Sequence, residues 1–440
     1  MTSMAVAVAV AVIVVASIEI MMFFPCIMKR YLFLLVQLVC GVAMFFPAAA
    51  ENWPGWRGPR GDGTVEESSD LPVKWSVPEN VIWKTALPGK GHASPVIWQD
   101  RIFLVEAVKE TEQRVLISLD RRDGKVLWQK TVIKAPIEHI HPLNSYASST
   151  PATDGERVYV SFLDDKKMFV AAYDFDGNQL WKKHPGVFSS VHGYCASPVL
   201  WKDKVIINGD HDGEAYIVAL DRVTGEILWK TSRPNKTRSY CTPIIRNIDG
   251  RNQLILSGSK SVASYDPDSG KQHWVIDGPT EQYVASLVYN GKNLFMTCGF
   301  PERHLLSIDP RGSGNVTATH VSWRTSDDCS YVPSPVLVGE YLLMVSDKGV
   351  ASCFLADSGE KLWKKKLPKR HSASLLSANG LAYFLSDKGI MTVVKPGKSY
   401  QQVAQNQLGE ASNASPAVYD GKFYLRGDKH LYCIGKKEVK

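Results

Sequence analysis

From about residue 80 onward, apolar residues come in short runs that alternate with polar ones and are separated by turns containing Asp or Gly. Val205-Ile206-Ile207 and Leu342-Leu343-Met344-Val345 are typical. A period of two over such runs predicts half-buried β-strands. The strands in turn belong to a longer repeat. A Ser/Thr-Pro pair recurs at Ser94-Pro95, Thr150-Pro151, Ser197-Pro198, Thr242-Pro243, Ser334-Pro335 and Ser415-Pro416, with degenerate copies at Ser286-Leu287 and Ser374-Leu375. Successive copies lie 40 to 56 residues apart. Each holds a short strand, a turn, a second strand and a third strand ending near Leu-Asp. Four strands per period of this length, once the strand described next is added, make a propeller blade.

A tryptophan strand closes each unit. Its turn reads Asp120-Arg121-Arg122-Asp123-Gly124 ahead of Trp128 and recurs over 174–181, 221–229, 266–274 and 357–363, with a stretched copy over 309–323. The turn needs positive φ at its glycine and an Asp oxygen to satisfy free backbone N–H groups. Trp83, Trp128, Trp181, Trp229, Trp274, Trp323 and Trp363 are assigned to docking between blades, where each buries a large apolar area. The eighth copy ends without a Trp strand. Asn80-Val81-Ile82-Trp83-Lys84-Thr85, ahead of the first copy, matches Ile227-Leu228-Trp229-Lys230-Thr231 and can supply it. The prediction is an all-β, eight-bladed β-propeller whose ring is closed by an N-terminal strand, which leaves no open sheet edge at the junction.

Residues 1–50 differ from the rest. Their only charges are Glu19, Lys29 and Arg30, and Met28-Lys29-Arg30, an apolar stretch and Ala48-Ala49-Ala50 have the three regions of a secretory signal peptide. This predicts an export segment over 1–50 with Met28 as start and cleavage after Ala50, an arm over 51–79 and the propeller over 80–440. The location expected is periplasmic or secreted, with the membrane met only through that signal or, alternatively, through an uncleaved anchor. After cleavage the chain keeps 51−2 = 49 basic and 44−1 = 43 acidic residues, a net +6, without a basic run. Nucleic acid is therefore not an expected partner. Lys364, Lys365, Lys366, Lys369 and Arg370 read as solvated turn residues. Six cysteines remain, too scattered for a disulfide framework.

The turn Asp221-Arg222-Val223-Thr224-Gly225-Glu226-Ile227-Leu228-Trp229 is similar to the Asp-x-x-Thr-Gly-x-x-x-Trp motif of the pyrroloquinoline-quinone-like (PQQ-like) β-propeller repeat family, with one extra residue. Trp53-Pro54-Gly55-Trp56-Arg57-Gly58-Pro59 looks like the segment that precedes the ring in secreted members. The resemblance spans about residues 51–435. It implies a family holding quinoprotein alcohol and glucose dehydrogenases, which bind PQQ and calcium on the axis, together with non-catalytic members such as BamB-type outer-membrane assembly lipoproteins. The methanol-oxidising type has adjacent cysteines against its cofactor, and here none adjoins another. No calcium-binding Glu/Asn/Asp set and no catalytic Asp map onto this chain. The expectation is a non-catalytic binding or scaffold protein that uses its channel mouth. The alternatives are a PQQ-dependent dehydrogenase and a BamB-type assembly factor.

Residues entering the innermost strands converge on one mouth of the axial channel. Just before each Ser/Thr stand His92, Tyr146, Tyr194, Tyr240, Tyr283, Tyr331, His371 and Ser412. They are the candidates for an aromatic, hydrogen-bonding rim around a protein or small-molecule ligand, against the alternative that they pack the channel top. Cys195 and Cys241 hold nearly matching positions and read as buried thiols, a disulfide being the other possibility. His139 and His141 alternate as metal ligands sometimes do, without a third ligand nearby in sequence. Asp210, Asp212 and Glu214 fit a hairpin turn better than a calcium loop. No metal site is assigned, and PQQ with calcium is the one cofactor kept open. Gly397-Lys398-Ser399 lacks the earlier glycine of a phosphate loop, and metalloprotease, hydrolase-elbow and dinucleotide motifs are missing.

Overall fold

The computed structural model describes residues 50–65, 70–137 and 139–436, so the proposed export segment lies outside the described residues apart from Ala50. Glu51–Lys440 forms one compact unit. Its described strands make eight sheets, seven of four strands and one of five, antiparallel but for one added parallel strand in the five-stranded sheet; seven run in chain order from an inner to an outer strand, and the eighth takes its outer strand from the N-terminal end. The first blade, for example, is built from Val96–Trp98, Arg101–Val108, Gln113–Asp120 and Val126–Lys134. The middle strands are buried on both faces, as in Lys204–Gly209 and Tyr216–Asp221, and the outer strands alternate, as in Ile227–Ser232. Period-two alternation thus belongs to the outer strands, and unbroken apolar runs to the middle ones.

The recurring Ser/Thr residues tie the blades together. The backbone N–H of Ser94 donates to Thr150 Oγ1 at 3.0 Å, Thr150 N–H to Ser197 Oγ at 3.0 Å and Ser197 N–H to Thr242 Oγ1 at 3.0 Å. The same bond links Ser286 to Ser334, Ser334 to Ser374 and Ser374 to Ser415. A buried N–H at the head of each inner strand would otherwise lack an acceptor, which is costly. Two steps depart from the rule. Ser286 Oγ donates to the Thr242 carbonyl at 3.2 Å, and Ser94 Oγ is buried without a hydrogen-bond partner.

Outer strands dock through their tryptophans. The indole N–H of Trp83 reaches the Arg121 carbonyl of the next blade at 2.9 Å, and Trp128, Trp181, Trp229, Trp323 and Trp363 do the same with Phe175, Arg222, Pro267, Ala356 and Gly397. Each ring lies against the next turn. A Cβ at Gly225, where φ is +74°, would sit 2.7 Å from the Trp181 ring, so the motif glycine supplies both the backbone angle and the space. Trp274 meets the next blade by a different route. The stretched turn folds back as Gly314–Asn315, pairs in parallel with Gln272–Asp277, and leaves Trp274 fully buried, its indole bonded to Gln253 Oε1 at 2.7 Å in its own blade.

The ring closes as expected: Val81–Ala86 pairs antiparallel with His430–Ile434. Because the third and fourth strands of this blade come from opposite ends of the chain, no turn joins them, and the seventh blade carries no tryptophan to dock there. The arm fills that place. Trp75 N–H donates to Asn406 Oδ1 at 3.0 Å, Asn406 Nδ2 to the Val73 carbonyl at 3.0 Å, and Trp75 is buried in the same cluster as Phe423 and Ile434. At the seam between the eighth and first blades, buried Arg426 donates to the Ala93 and Val105 carbonyls at 2.9 and 3.1 Å and to Glu106 Oε1 at 2.6 Å. Both side chains are essentially inaccessible, and burial pushes the Glu106 carboxyl up and the Arg426 guanidinium down.

Two outcomes follow. Replacing Arg426 by Met leaves Glu106 buried and unpaired and should cost about 3–5 kcal/mol in denaturant melts, while adding Glu106→Gln should restore much of the loss. Gly225→Ala should lower stability by about 1–3 kcal/mol, and Gly250→Ala, whose Cβ meets nothing within 4 Å, should cost less.

Candidate functional site

The channel has a floor, and the arm makes it. Trp53 exchanges two backbone hydrogen bonds with Ile97, the Pro54 carbonyl accepts from Thr153 N–H at 2.8 Å, and Val65 and Gly63 pair with Ser377. Between these anchors Trp56 Nε1 donates to Ser286 Oγ at 3.0 Å. Arg57, buried at 2% exposure, reaches the Pro335 carbonyl at 2.5 Å, and Arg246 donates to the Arg60 carbonyl at 2.7 Å. The arm therefore touches the inner strands, or the residues leading into them, of the first, second, fourth, fifth, sixth and seventh blades. Burial lowers the Arg57 guanidinium to about 10, still charged at neutral pH. A Cβ on Gly58 would strike the Trp53 ring at 2.7 Å, which explains the glycine in this segment.

Above the floor runs a channel of about 140 Å³ lined by Trp56, His92, Asn413 and His371, among others. It opens into a mouth of about 290 Å³. The two spaces share Leu143, Asn144, Cys195, Tyr240, Asp347 and Arg370. Of the sequence candidates, His92, Tyr240, Tyr331 and His371 come together here. Tyr146 and Tyr194 line a separate pocket of about 10 Å³ between blades, with Tyr194 OH near Ser161 Oγ at 3.2 Å. Tyr283 is fully buried and donates to the Gly278 carbonyl at 2.6 Å, and Ser412 Oγ donates to the Arg426 carbonyl at 2.7 Å. None of these four side chains lines the channel or the mouth.

One wall of the mouth is aromatic. His141 packs against His192 at 5.2 Å, and His192 stacks on Tyr240 at 5.9 Å with ring planes 10° apart. Tyr331 OH donates to Gln282 Oε1 at 3.1 Å. The other wall is cationic. Arg303, Lys348 and Arg370 line it, with Asp347 as the one carboxylate among the lining residues of channel and mouth. Asp347 is already engaged, accepting from Arg303 Nη2 at 3.1 Å and from Val332 N–H at 2.9 Å. Sequence reasoning missed this wall: Arg370, read as a solvated turn residue, is exposed and also lines the mouth. The signal was Ser346-Asp347-Lys348-Gly349, repeated as Ser386-Asp387-Lys388-Gly389, at the hairpin between second and third strands. That hairpin opens on the same face as the loops entering the inner strands.

Burial holds the His92 and His371 imidazoles down to about 4, so both are neutral at pH 7 and the mouth's positive charge comes from Arg and Lys. Cys195 and Cys241 are free thiols, Cys241 buried and Cys195 half-buried at the mouth, where burial pushes its thiol up to about 12. His139 is exposed and His141 belongs to the aromatic stack. Asp210 is buried against Arg233 at 2.8 Å, Asp212 pairs with Arg238 at 2.6 Å, and Glu214 pairs with Lys236 at 2.5 Å. Among the described residues no three His, Cys, Asp or Glu side chains gather as a metal-binding group. Calcium takes six to eight oxygen ligands, typically with several carboxylates. A mouth offering one carboxylate, already paired, does not fit PQQ with calcium.

Fold and site together define a β-propeller with a blind, basic, aromatic funnel. The family model for "Outer membrane protein assembly factor BamB" matches residues 69–162, 111–350 and 302–436, and the chain belongs to this family of PQQ-like propellers. It is 21% identical over 367 residues to a polyvinylalcohol dehydrogenase of Sphingopyxis sp. (strain 113P3), covering 72% of this chain and 51% of that protein. It is 25% identical over 293 residues to BamB of Burkholderia pseudomallei (strain K96243), covering 66% of this chain and 60% of that protein. The chain thus spans between about half and 60% of the length of these two relatives. The fold is shared with BamB from Moraxella catarrhalis (TM-score 0.58, 13% identity, 82% of this chain and 98% of that one). It is also shared with a quinohemoprotein alcohol dehydrogenase from Comamonas testosteroni (TM-score 0.63, 13% identity, 88% and 81%).

The two neutral imidazoles make stability pH-dependent. Between about 6.5 and about 4 the unfolded chain binds protons that folded His92 and His371 do not, so their contribution lowers stability as pH falls through that window. Thermal melts at pH 7 and pH 5 should show the drop, and His92→Asn with His371→Asn should flatten it.

Proposed function

We propose that this chain is an exported, non-catalytic binding or scaffold protein that holds its ligand at the open mouth of the propeller. The observation that supports this reading most is the donor set of the blind funnel: three cations, an aromatic stack and one engaged carboxylate. Such a wall recognises a ligand by charge and stacking. It lacks the anionic ligands that a calcium-dependent quinone site requires. Export rests on the charged, apolar and small-residue pattern of residues 1–50. No helix of the described residues is long and apolar enough to cross a membrane. Fold likeness to dehydrogenases does not by itself carry catalysis, because one fold hosts many activities.

The dehydrogenase reading makes the opposite forecast. Titrating the purified protein with PQQ and calcium should leave its melting temperature unchanged and give no dye-linked oxidation of alcohols or sugars. A rise in melting temperature together with turnover would replace our reading with the enzyme one. A photo-crosslinking residue at Leu143, on the mouth, should capture a partner or ligand in the native envelope, whereas one at exposed Lys398, in the seventh blade's docking turn, should not.

A further inference from the structure

The charge and shape of the mouth say more about its occupant, given that reading. We infer that the mouth takes an acidic polypeptide segment, a loop or tail whose carboxylates enter the funnel while its apolar flanks rest on the rim. Three cations against one carboxylate leave the lining with 3−1 = +2. Asp347 is shared with Arg303, Arg370 has Asp387 only at 3.8 Å, and Lys348 forms no ion pair among the described residues. Cations so lightly compensated beside an apolar and aromatic wall favour carboxylates arriving from outside.

The rim argues for a polypeptide over a small acid. Leu143, Val191 and Phe300 stand 55%, 56% and 50% exposed on the loops that carry Asn144, His192 and Arg303. Leu143 itself lines channel and mouth, whereas Val191 and Phe300 stand beside lining residues without lining the cavity, so a ligand confined to the funnel would leave those two in water. A segment continuing out of the mouth covers them and gains the usual apolar burial, roughly 25 cal/mol per Å². The arm adds a constraint: it crosses the far end with Trp56 lining the channel, so the segment enters and leaves by the mouth as a tip or a chain end.

The test uses the purified protein and fluorescence anisotropy of a short labelled peptide with Asp-Glu-Asp between Leu and Phe flanks, its Asn-Gln-Asn counterpart, and benzoate as a small acid. The acidic peptide should bind about tenfold tighter than the amide one, and added salt should weaken it. Lys348→Gln, which breaks no ion pair, and Arg370→Gln should each weaken acidic-peptide binding about fivefold. Leu143→Ser with Phe300→Ser should weaken both peptides, with melting temperatures of all variants held near wild type. Equal affinity of the two peptides, lost together in Tyr331→Ala, would overturn the acidic preference and leave the mouth as a binding site. Displacement of the peptide by benzoate, with no effect of the rim substitutions, would overturn docking in favour of a small-acid pocket. Binding of neither peptide, with no crosslink at Leu143, would remove both this inference and the proposed function.

Discussion

A backbone N–H at the head of each inner strand must find an acceptor where the sheet has ended, and the hydroxyl of the neighbouring blade supplies it. The rest of the structure depends on this hand-over. It fixes the spacing of the blades at the axis, where inner strands, of two or three residues in every blade but the fourth, have too few ladder bonds to do so alone. The tryptophans do the corresponding work at the circumference, each bridging to the next turn. A blade is therefore held at both ends by its neighbours, and stability accrues around the ring.

The irregularities fall where that scheme is interrupted. At the step between Thr242 and Ser286 the hydroxyl turns to a carbonyl, and the indole of Trp56 takes up its free lone pair. At the seam, where Ser94 Oγ has no partner, the buried Arg426 and Glu106 pair holds the first and eighth blades instead. Both repairs draw on groups outside the repeat motif. The arm is thus a structural member twice over: it seals one end of the channel, and it covers the place where the last blade has no turn.

What was legible in the sequence is what repeats. The eight copies, the docking tryptophans and the closing strand each recur at fixed offsets, and the structure places them accordingly. Trp274 bonds within its own blade because its neighbouring turn is longer by several residues and returns as an extra strand over it. The rim was half legible. Tyr240 and Tyr331 line the mouth, while Tyr194 and Tyr283, at similar sequence positions, do not, although all four hydroxyls find a protein oxygen. Loop direction is not encoded by periodicity. The cationic wall went unseen because lysines and arginines in turns look alike whether they face bulk water or a funnel.

The sign of the charge at the mouth bears on which ligand it suits. A site for a hard divalent cation must concentrate carboxylates, whose mutual repulsion the metal relieves. Here the axial cavity concentrates guanidinium and ammonium groups, and its single carboxylate serves to hold Arg303 and the Val332 loop in place. Binding a cation there would place like charges together in a partly desolvated cavity, while an anionic group relieves the repulsion already present. The ring, held by hydroxyls and indoles, is indifferent to that choice. A few loop and hairpin residues, Arg303, Asp347, Lys348 and Arg370, set the charge of the mouth and take no part in the hydroxyl and indole contacts that keep the blades in register.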